Sequence, residues 1–280
     1  MILVTGATGI LGRVIVLELL KRGKTVRATK RKSSNLQEVR KSFQFYTETP
    51  NEYFDSIEWV EVDFEDIHSL QNALNGVEEV YHCAAKVSFH PKDEKKMYQT
   101  NIEGTKQLLF ACQNSSVKKF LFVSSIAVLD GLNENGELDE SSDFNPKIDH
   151  SAYAISKHFS EMEVWRASAE GLNTVIVNPG LIIGSGNWKE SSGTLFMEFE
   201  KNDYTFSGGT SYVDVRDVAQ ISIELMEKNI FGERFILVSE SAKYEEIGNL
   251  IRQKLGKSPL KLLPNVVLKV GFYLDRKSTR

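Results

Sequence analysis

The chain has 280 residues and a formal net charge of -4 at pH 7, with 41% hydrophobic and 26% charged residues. This composition is typical of a globular protein with a sizeable core. It disfavours nucleic-acid binding, which requires clustered Lys and Arg. No apolar stretch reaches the ~20 residues needed to span a bilayer, and a glycine motif that begins at Met1 leaves no room for a signal peptide. We therefore expect a cytoplasmic protein without a membrane partner, in which Cys83 and Cys112 are buried free thiols.

Short apolar segments alternate with amphipathic segments along most of the chain. The apolar segments, which we predict to be strands, lie at 1–4, 25–29, 57–62, 80–83, 119–123, 174–177 and 234–238. Helical periodicity lies between most of them, at 11–22, 68–75, 94–114, 152–170 and 215–228. Strands without polar alternation, separated by helices, are typical of a parallel sheet that is buried on both faces. The sequence therefore predicts an α/β fold with a doubly wound parallel sheet.

The first predicted strand and helix are joined by the sequence TGATGILG, with glycines at intervals of three. A glycine-rich turn between a strand and a helix is the setting of a dinucleotide-binding fingerprint. Gly6 would allow the tight turn, Gly9 would let the backbone approach a pyrophosphate, and Gly12 would let the helix pack close to the sheet. The free N–H groups at the helix N-terminus would bind the pyrophosphate. We count Thr8 and Ile10, which lie within the motif, among the cofactor-binding residues.

The end of the second predicted strand distinguishes the two nicotinamide cofactors. Enzymes that use NAD place an acidic residue there, whereas those that use NADP use an arginine. The segment 26–34, VRATKRKSS, contains no acidic residue. A basic run is usually a solvated surface, but this one lies where a 2′-phosphate would arrive, and Arg31 could bind it through its planar fork. The segment favours NADP, with NAD as the alternative.

A tyrosine and a lysine lie four residues apart in the predicted helix at 152–170. Tyr153 and Lys157 therefore share one helix face, where an ammonium group would lower the phenol pKa from its usual value near 10. Ser124 and Ser125 follow a predicted strand, at the sheet edge where ligands bind. A serine hydroxyl there could hydrogen-bond a carbonyl oxygen beside the tyrosine. The alternative is a surface tyrosine with a lysine neighbour.

Together, the motif T-G-x-x-G-x-x-G and Ser125, Tyr153 and Lys157 resemble the extended short-chain dehydrogenase/reductase family of NAD-dependent epimerases and dehydratases. The resemblance spans nearly the whole chain and implies a Rossmann fold. Within the family, NPGLIIGSG at 178–186 and YVDVRDVA at 212–219 are most similar to dihydroflavonol-reductase-like ketone and aldehyde reductases. The Arg-x-x-Asn strand usual in nucleotide-sugar epimerases is missing, since VIVN stands at 175–178. This difference disfavours a nucleotide-sugar substrate.

The resemblance implies roles for residues outside these motifs. Asp63 and Phe64 resemble a pair whose acidic residue contacts adenine, although Asp63 could instead cap the turn before the next helix. Asn101 resembles the helix asparagine that supports the proton relay, although it could be an ordinary polar residue. His82 is interpreted as a strand residue. The other cofactor-binding residues that the resemblance implies are Ala84, Ala85, Lys86 and Pro179.

The mechanism that the resemblance implies is hydride transfer between NADP and a small carbonyl or alcohol substrate. Ser125 would hold the carbonyl oxygen; we prefer it to Ser124 because residues 126–128 continue the family's pattern. Tyr153 would transfer the proton, and Lys157 would lower the phenol pKa and hold the nicotinamide ribose. Asn101 would connect that lysine to solvent through water. A nucleotide-sugar epimerase or dehydratase and a non-catalytic nucleotide-binding protein are the alternatives, and histidine spacing does not indicate a metal site.

The regular alternation stops after the sixth predicted strand. We assign 1–178 to a dinucleotide-binding Rossmann domain and 179–280 mainly to a smaller substrate-binding lobe, with 212–238 returning to the Rossmann core. An apolar segment at 264–274 could pack as a lobe helix or lie on a membrane surface. The lobe contains five aromatic residues that could either line a substrate pocket or hold the lobe together, namely Trp188, Phe196, Phe199, Tyr204 and Phe206.

The family resemblance also implies a homodimer. In relatives, two long helices of each subunit form the interface, and the predicted helices at 94–114 and 152–170 fit that placement. Both are long enough to carry apolar residues beyond one buried face. We expect the interface to use residues such as Leu108, Leu109, Phe159 and Trp165.

Overall fold

The computed structural model describes residues 1–88, 90–186, 188 and 192–264. The strands, in chain order, are β1 Ile2–Thr5, β2 Val26–Lys30, β3 Glu58–Glu61, β4 Glu79–His82, β5 Lys119–Val123, β6 Asn173–Pro179, β7 Leu181–Ile183, β8 Tyr204–Thr205, β9 Gly209–Asp214, β10 Glu233–Leu237, β11 Glu240–Lys243 and β12 Lys261–Leu262. The helices are α1 Ile10–Lys21, α2 Leu36–Ser42, α3 Pro50–Asp55, α4 Ile67–Ala73, α5 Glu94–Tyr98, α6 Gly104–Gln113, α7 Ala152–Ala169, α8 Ser192–Lys201, α9 Val215–Glu227 and α10 Tyr244–Lys254.

Seven strands form a parallel sheet in the order β3-β2-β1-β4-β5-β6-β10. The chain runs outward from β1 to β3 and then returns to place β4 on the other side of β1. This reversal is the topological switch point, at which doubly wound sheets bind ligands beyond the carboxyl ends of their strands. The predicted α/β fold with a doubly wound, parallel-sheet Rossmann core is confirmed.

The sheet has a hydrophobic cluster on each face. In β5, Leu121 packs against the layer that includes α1 and α9, whereas Phe120 and Phe122 pack against the layer of α4, α6 and α7. These alternate orientations follow from the two-residue period of a strand. Because both faces are covered by helices, such strands have no polar face, and this is why an uninterrupted apolar pattern predicted them.

The predicted helix at 94–114 is divided in the structure. α5 and α6 are separated by a π-helical segment, Gln99–Glu103, which contains Asn101. A π-helical turn inserts an extra residue into the helical repeat and is frequent at functional sites. Two short helices, α2 and α3, were not predicted; they begin at an Asn35 cap and at Pro50.

Residues after β6 build two small sheets, β11-β9-β7 and β12-β8, together with α8 and α10. α9 and β10 instead join the central sheet, because β10 pairs with β6 and α9 packs on α1. Phe199 is buried with Ile247 and Leu260 in a separate cluster that holds this part together. Tyr204 and Phe206 are exposed. The predicted apolar segment at 264–274 lies outside the described residues from 265 onward.

The residues proposed for a subunit interface are only partly available. Leu108 and Leu109 are fully buried beneath the central sheet, so the expectation that they contribute to an interface is wrong. Trp165 packs partly against the same cluster, whereas Phe159 is half exposed. Both cysteines are free thiols, as predicted. Among the described residues, no helix combines the length and the apolar character needed to cross a bilayer.

Candidate active site

The glycine motif forms a close contact between the β1–α1 turn and the end of β4. Gly6 has a φ of +64°, and a Cβ atom on it would lie 2.6 Å from the Ala84 nitrogen. A Cβ atom on Gly12 would lie 2.3 Å from the Gly6 carbonyl oxygen. Gly9 caps the N-terminus of α1 without a side chain. These positions leave the first-turn N–H groups of a twelve-residue helix facing the switch point, where an anion would be stabilised.

Arg13, in the first turn of α1, is a buried residue beside this motif that was not predicted from the sequence. Its guanidinium group donates to the carbonyl oxygens of Thr8 and Gly9 and forms an ion pair with Glu38 at 3.2 Å. These contacts hold the peptide groups of the glycine turn in one orientation and connect the turn to α2. The sequence feature that could have indicated this role is an arginine in an apolar helix, directly after Gly12.

Arg31 lies just beyond the carboxyl end of β2 and is exposed. Its backbone N–H donates to the Ser34 hydroxyl at 3.0 Å, which closes a tight turn. Within the described residues, the Arg31 guanidinium group has no hydrogen bond or ion pair, whereas the neighbouring Lys30 lies 3.6 Å from Glu61. Arg31 therefore presents an available planar cation next to the glycine turn.

Asp63 lies in the turn after β3, and its contacts match the alternative to adenine binding, in which it caps this turn. Its carboxylate accepts a hydrogen bond from the Glu65 N–H at 3.0 Å, and Asp66 caps the following helix. Phe64 packs against Gly104 and against the His82 ring, whose centre is 5.8 Å away. Asp63 thus stabilises a turn, and its contact with adenine stays a prediction.

His82 is a strand residue, as the sequence analysis interpreted it. Its ring lies between the hydroxyls of Thr5 and Thr105, at 2.6 and 2.9 Å. Burial lowers the pKa of His82 to about 3, so the ring is neutral at physiological pH. His82 joins the start of the glycine turn to α6 and carries no charge to the site.

Asn101 connects the segment after β4 to α7. Its amide oxygen accepts from the Lys86 N–H at 2.7 Å, and its amide nitrogen donates to the Lys86 carbonyl and to the Ser156 hydroxyl at 3.0 and 2.9 Å. Its own carbonyl accepts from the Ser160 hydroxyl at 2.7 Å. These contacts fix the position of the Ala84–Lys86 segment, and the relay role of Asn101 stays a prediction.

The structure brings Ser125 and Tyr153 together. Their side chains interact, and this interaction favours the phenolate form and lowers the pKa of Tyr153. Burial has the larger effect and raises the pKa of Tyr153. Ser124 points elsewhere, because its hydroxyl donates to Glu161 at 2.7 Å. Ser125 is therefore the serine beside the tyrosine.

Lys157 lies on the same face of α7 but contacts β5. Its ammonium group donates to the Val123 carbonyl at 2.6 Å and lies 4.1 Å from the centre of the Phe122 ring. Burial lowers the pKa of Lys157 to about 7, and the Glu161 carboxylate partly opposes that shift. Lys157 is not among the groups that shift the pKa of Tyr153. The expected lowering of the phenol pKa by this lysine is thus corrected: burial dominates and raises it.

The lowered pKa of Lys157 predicts a pH-dependent stability. An unfolded lysine titrates near 10.4, so between about pH 7 and that value the unfolded chain binds more protons than the folded one. Stability contributed by this group therefore rises with pH across this window. Relative to Lys157→Met, the wild type should gain on the order of a few kcal/mol of unfolding free energy between pH 7 and pH 10 in urea titrations. A difference that is constant over this range would contradict the prediction.

An open cavity of about 570 Å³ lies beside the site, between Ile126 and the β9–β11 pair. This volume is in the range of small-molecule sites. The lining is rich in hydroxyl groups, contributed by Thr210, Ser211 and Ser241, and includes Lys243. The described lining contains none of the five aromatic residues singled out from the sequence.

The sequence profile of the NAD dependent epimerase/dehydratase family matches residues 2–237. Sterol demethylase protein B of Methylococcus capsulatus is 30% identical over 257 residues, which are 91% of this chain and 74% of that protein. Dihydroflavonol 4-reductase of Arabidopsis thaliana is 27% identical over 266 residues, which are 90% of this chain and 68% of that protein. The crystal structure of gox2253 has a TM-score of 0.83 at 27% identity and covers 100% of this chain and 83% of that one. The chain belongs to the NAD dependent epimerase/dehydratase family, and its homologues include dihydroflavonol-reductase-like proteins.

Proposed function

We propose that the protein is an NADP-dependent reductase of a small ketone or aldehyde, which in reverse oxidises the corresponding alcohol. The observation that carries this proposal is the interaction of the Ser125 and Tyr153 side chains at the carboxyl end of the sheet. Two adjacent hydroxyl groups there can converge on one carbonyl oxygen. The adjoining cavity of about 570 Å³ has room for a small substrate.

The residues around the glycine turn fit a dinucleotide. At Gly6 and Gly12, a side chain would collide with backbone atoms, and the first turn of α1 offers unpaired N–H groups to a pyrophosphate. When bound, the nicotinamide supplies or accepts the hydride. The segment that includes Ala84, Ala85 and Lys86 would lie beneath the cofactor, and Pro179 at the end of β6 would contact its nicotinamide end.

The protein's own groups would handle the carbonyl oxygen and the proton. Ser125 would donate a hydrogen bond to the oxygen and hold it beside Tyr153, which would transfer the phenolic proton. Lys157 would hold the nicotinamide ribose. Asn101 would keep the neighbouring loop in place and connect Lys157 to solvent.

Steady-state assays with NADPH and a panel of aromatic ketones and aldehydes test the proposal. Consumption of NADPH with a matching amount of alcohol product supports a reductase. Retention of tightly bound NAD, with isomerisation or dehydration of a nucleotide sugar and no net consumption of cofactor, would identify an epimerase or dehydratase instead. Cofactor binding without turnover of any substrate would favour a non-catalytic role.

The preference for NADP rests on Arg31 and predicts a cofactor-specific loss. Arg31→Ala should weaken NADPH binding roughly ten- to hundredfold, because it removes a charge-assisted bidentate contact with the 2′-phosphate. NADH affinity should change little, since its ribose offers only a hydroxyl group. Fluorescence titrations of both cofactors provide the measurement.

Arg40→Ala is the matched control, because Arg40, on α2, is bound to Asp55, on α3, and its removal changes the net charge equally. It should leave both affinities unchanged. Replacing Lys30, Arg31 and Lys32 together tests whether the lysines share the contact. If the wild type binds NADH more tightly than NADPH, the assignment of NADP is wrong.

We also propose that the protein is a homodimer, formed through exposed apolar residues on α6 and α7. Phe110, Phe159 and Met162 are each 42–53% exposed. Light scattering at micromolar concentration should give the dimer mass for the wild type and the monomer mass for Phe159→Glu, because the introduced charge would be buried in the interface. Leu132→Glu, at a 65% exposed leucine outside both helices, should remain dimeric. A monomeric wild type would refute the proposal.

A further inference from the structure

A buried carboxylate lies behind the Ser125–Tyr153 pair. Glu161 is eight residues after Tyr153 and four after Lys157, so the three residues follow one face of α7. Its side chain is only 1% exposed. A carboxylate in such a place is costly unless it is both paired and hydrogen-bonded.

Glu161 holds the chain on both sides of Ser125. One carboxylate oxygen accepts from the Ser124 hydroxyl at 2.7 Å and from the Asn178 amide at 3.1 Å. The same amide group donates to the Ser125 carbonyl oxygen at 3.1 Å. The carboxyl ends of β5 and β6 are thereby joined to α7 at the residue that contacts Tyr153.

Arg234 neutralises this carboxylate from β10. It donates to the second Glu161 oxygen at 3.2 Å and also to the carbonyl oxygens of Glu140 and Ser142. Buried ion pairs add little net stability compared with apolar residues of similar shape. Stability alone therefore does not explain why an ion pair occupies this position, whereas its contacts lead directly to the catalytic edge.

We propose that Glu161, paired with Arg234, is a positioning residue that fixes Ser125 against Tyr153 and supports the positive charge of Lys157. This inference rests on the proposed Ser125–Tyr153–Lys157 site and adds to it the group that organises it. Glu161 itself touches neither substrate nor cofactor in this assignment.

Ionisable groups face Lys157 from β4 and from its own helix. His82, in β4, is neutral. Burial raises the pKa of Cys83, directly after β4, to about 12. The Glu161 carboxylate, on the same helix as Lys157, raises the pKa of Lys157. Glu161 also forms an ion pair with Arg234, and its charge raises the pKa of His158. Removal of the Glu161 charge should therefore make Lys157 harder to protonate.

The test compares Glu161→Gln with Glu163→Gln. Both substitutions are on α7, and each removes a carboxylate paired with an arginine, but Glu163 pairs with Arg166 on the outer surface. The readout is the NMR titration of ε-¹³C-labelled lysine, in which Lys157→Met identifies the resonance. Glu161→Gln should lower the Lys157 midpoint by about one unit or more, while Glu163→Gln leaves it unchanged.

Kinetics supply the second readout. Glu161→Gln should reduce kcat roughly ten- to hundredfold, the cost of displacing a reacting group by about 1 Å, with little change in the KM for NADPH. Its pH–rate profile should move in the same direction as the NMR midpoint. If Glu161→Gln matches Glu163→Gln in both readouts, the positioning role is refuted.

Two further controls keep the outcome clear. A wild type without reductase activity would refute the proposed function, while the lysine titration would still decide whether Glu161 supports Lys157. If Glu161→Gln does not fold, the double substitution Glu161→Gln/Arg234→Gln removes the same charge without leaving an unpaired arginine. The double variant should still shift the Lys157 midpoint downward, though by less, because Glu161 and not Arg234 is among the groups that shift the pKa of Lys157. An unchanged midpoint would refute the inference.

Discussion

Tyr153→Phe is expected to lower kcat by about 10²- to 10⁴-fold, the usual contribution of general acid–base catalysis. The substitution removes only the hydroxyl group that interacts with Ser125. The ring remains to fill the same space, so folding and NADPH affinity should be retained. Steady-state kinetics, cofactor fluorescence and thermal unfolding measure the three properties separately.

Tyr81→Phe is the matched control for this experiment. Tyr81 is a buried tyrosine of β4, and its hydroxyl has no hydrogen-bond partner among the described residues. The same chemical change there should leave kcat within about twofold, because no reacting group is touched. A Tyr153→Phe enzyme that is as active as Tyr81→Phe would remove Tyr153 from the mechanism.

Gly6→Ala is expected to cost about 2–5 kcal/mol of stability and to abolish measurable cofactor binding. A left-handed backbone costs an L-residue roughly 1–2 kcal/mol, and the new Cβ atom would also lie 2.6 Å from the Ala84 nitrogen. Overpacking of this kind costs typically 1–3 kcal/mol. Any shift that relieves the collision would move the glycine turn away from β4. Urea unfolding and NADPH titration measure the two effects.

Gly23→Ala separates the two causes. Gly23 has a φ of +71°, close to that of Gly6, but a Cβ atom there would meet nothing within 4 Å. Gly23→Ala should therefore show only the backbone cost, roughly 1–2 kcal/mol, and should bind NADPH normally. Equal losses in the two variants would show that the contact with Ala84 has no energetic role.

The central sheet could be predicted from the sequence because its strands are buried on both faces. Segments such as β5 contain no alternation of polar and apolar residues, and the helices between the strands have clear helical periodicity. Short elements were missed, since α2 and α3 have seven and six residues and begin at local caps. The π-helical segment was missed as well, because one inserted residue does not change the apolar pattern of a long helix.

Residues of the site were found where the chemistry is local in sequence. The glycines and the Tyr153–Lys157 spacing are patterns within a few residues, and Ser125 follows a strand. The direction of the Tyr153 pKa shift was missed, because it depends on burial. Arg234 lies 73 residues from Glu161, and no spacing rule connects two such positions.

The packing of α9 on α1 has a consequence for how the chain folds during synthesis. Roughly 190 residues separate the end of α1 from the start of α9, so at about 5–20 residues per second α1 leaves the ribosome some 10–40 seconds before α9. Throughout that interval the apolar residues of α1 lack the helix that covers them in the finished fold. The glycine turn at the head of α1 is thus translated well before the helix α9 that packs against α1. Nascent chains of this protein should depend on chaperones until Met226 has emerged, and chains that stop short of α9 should be degraded.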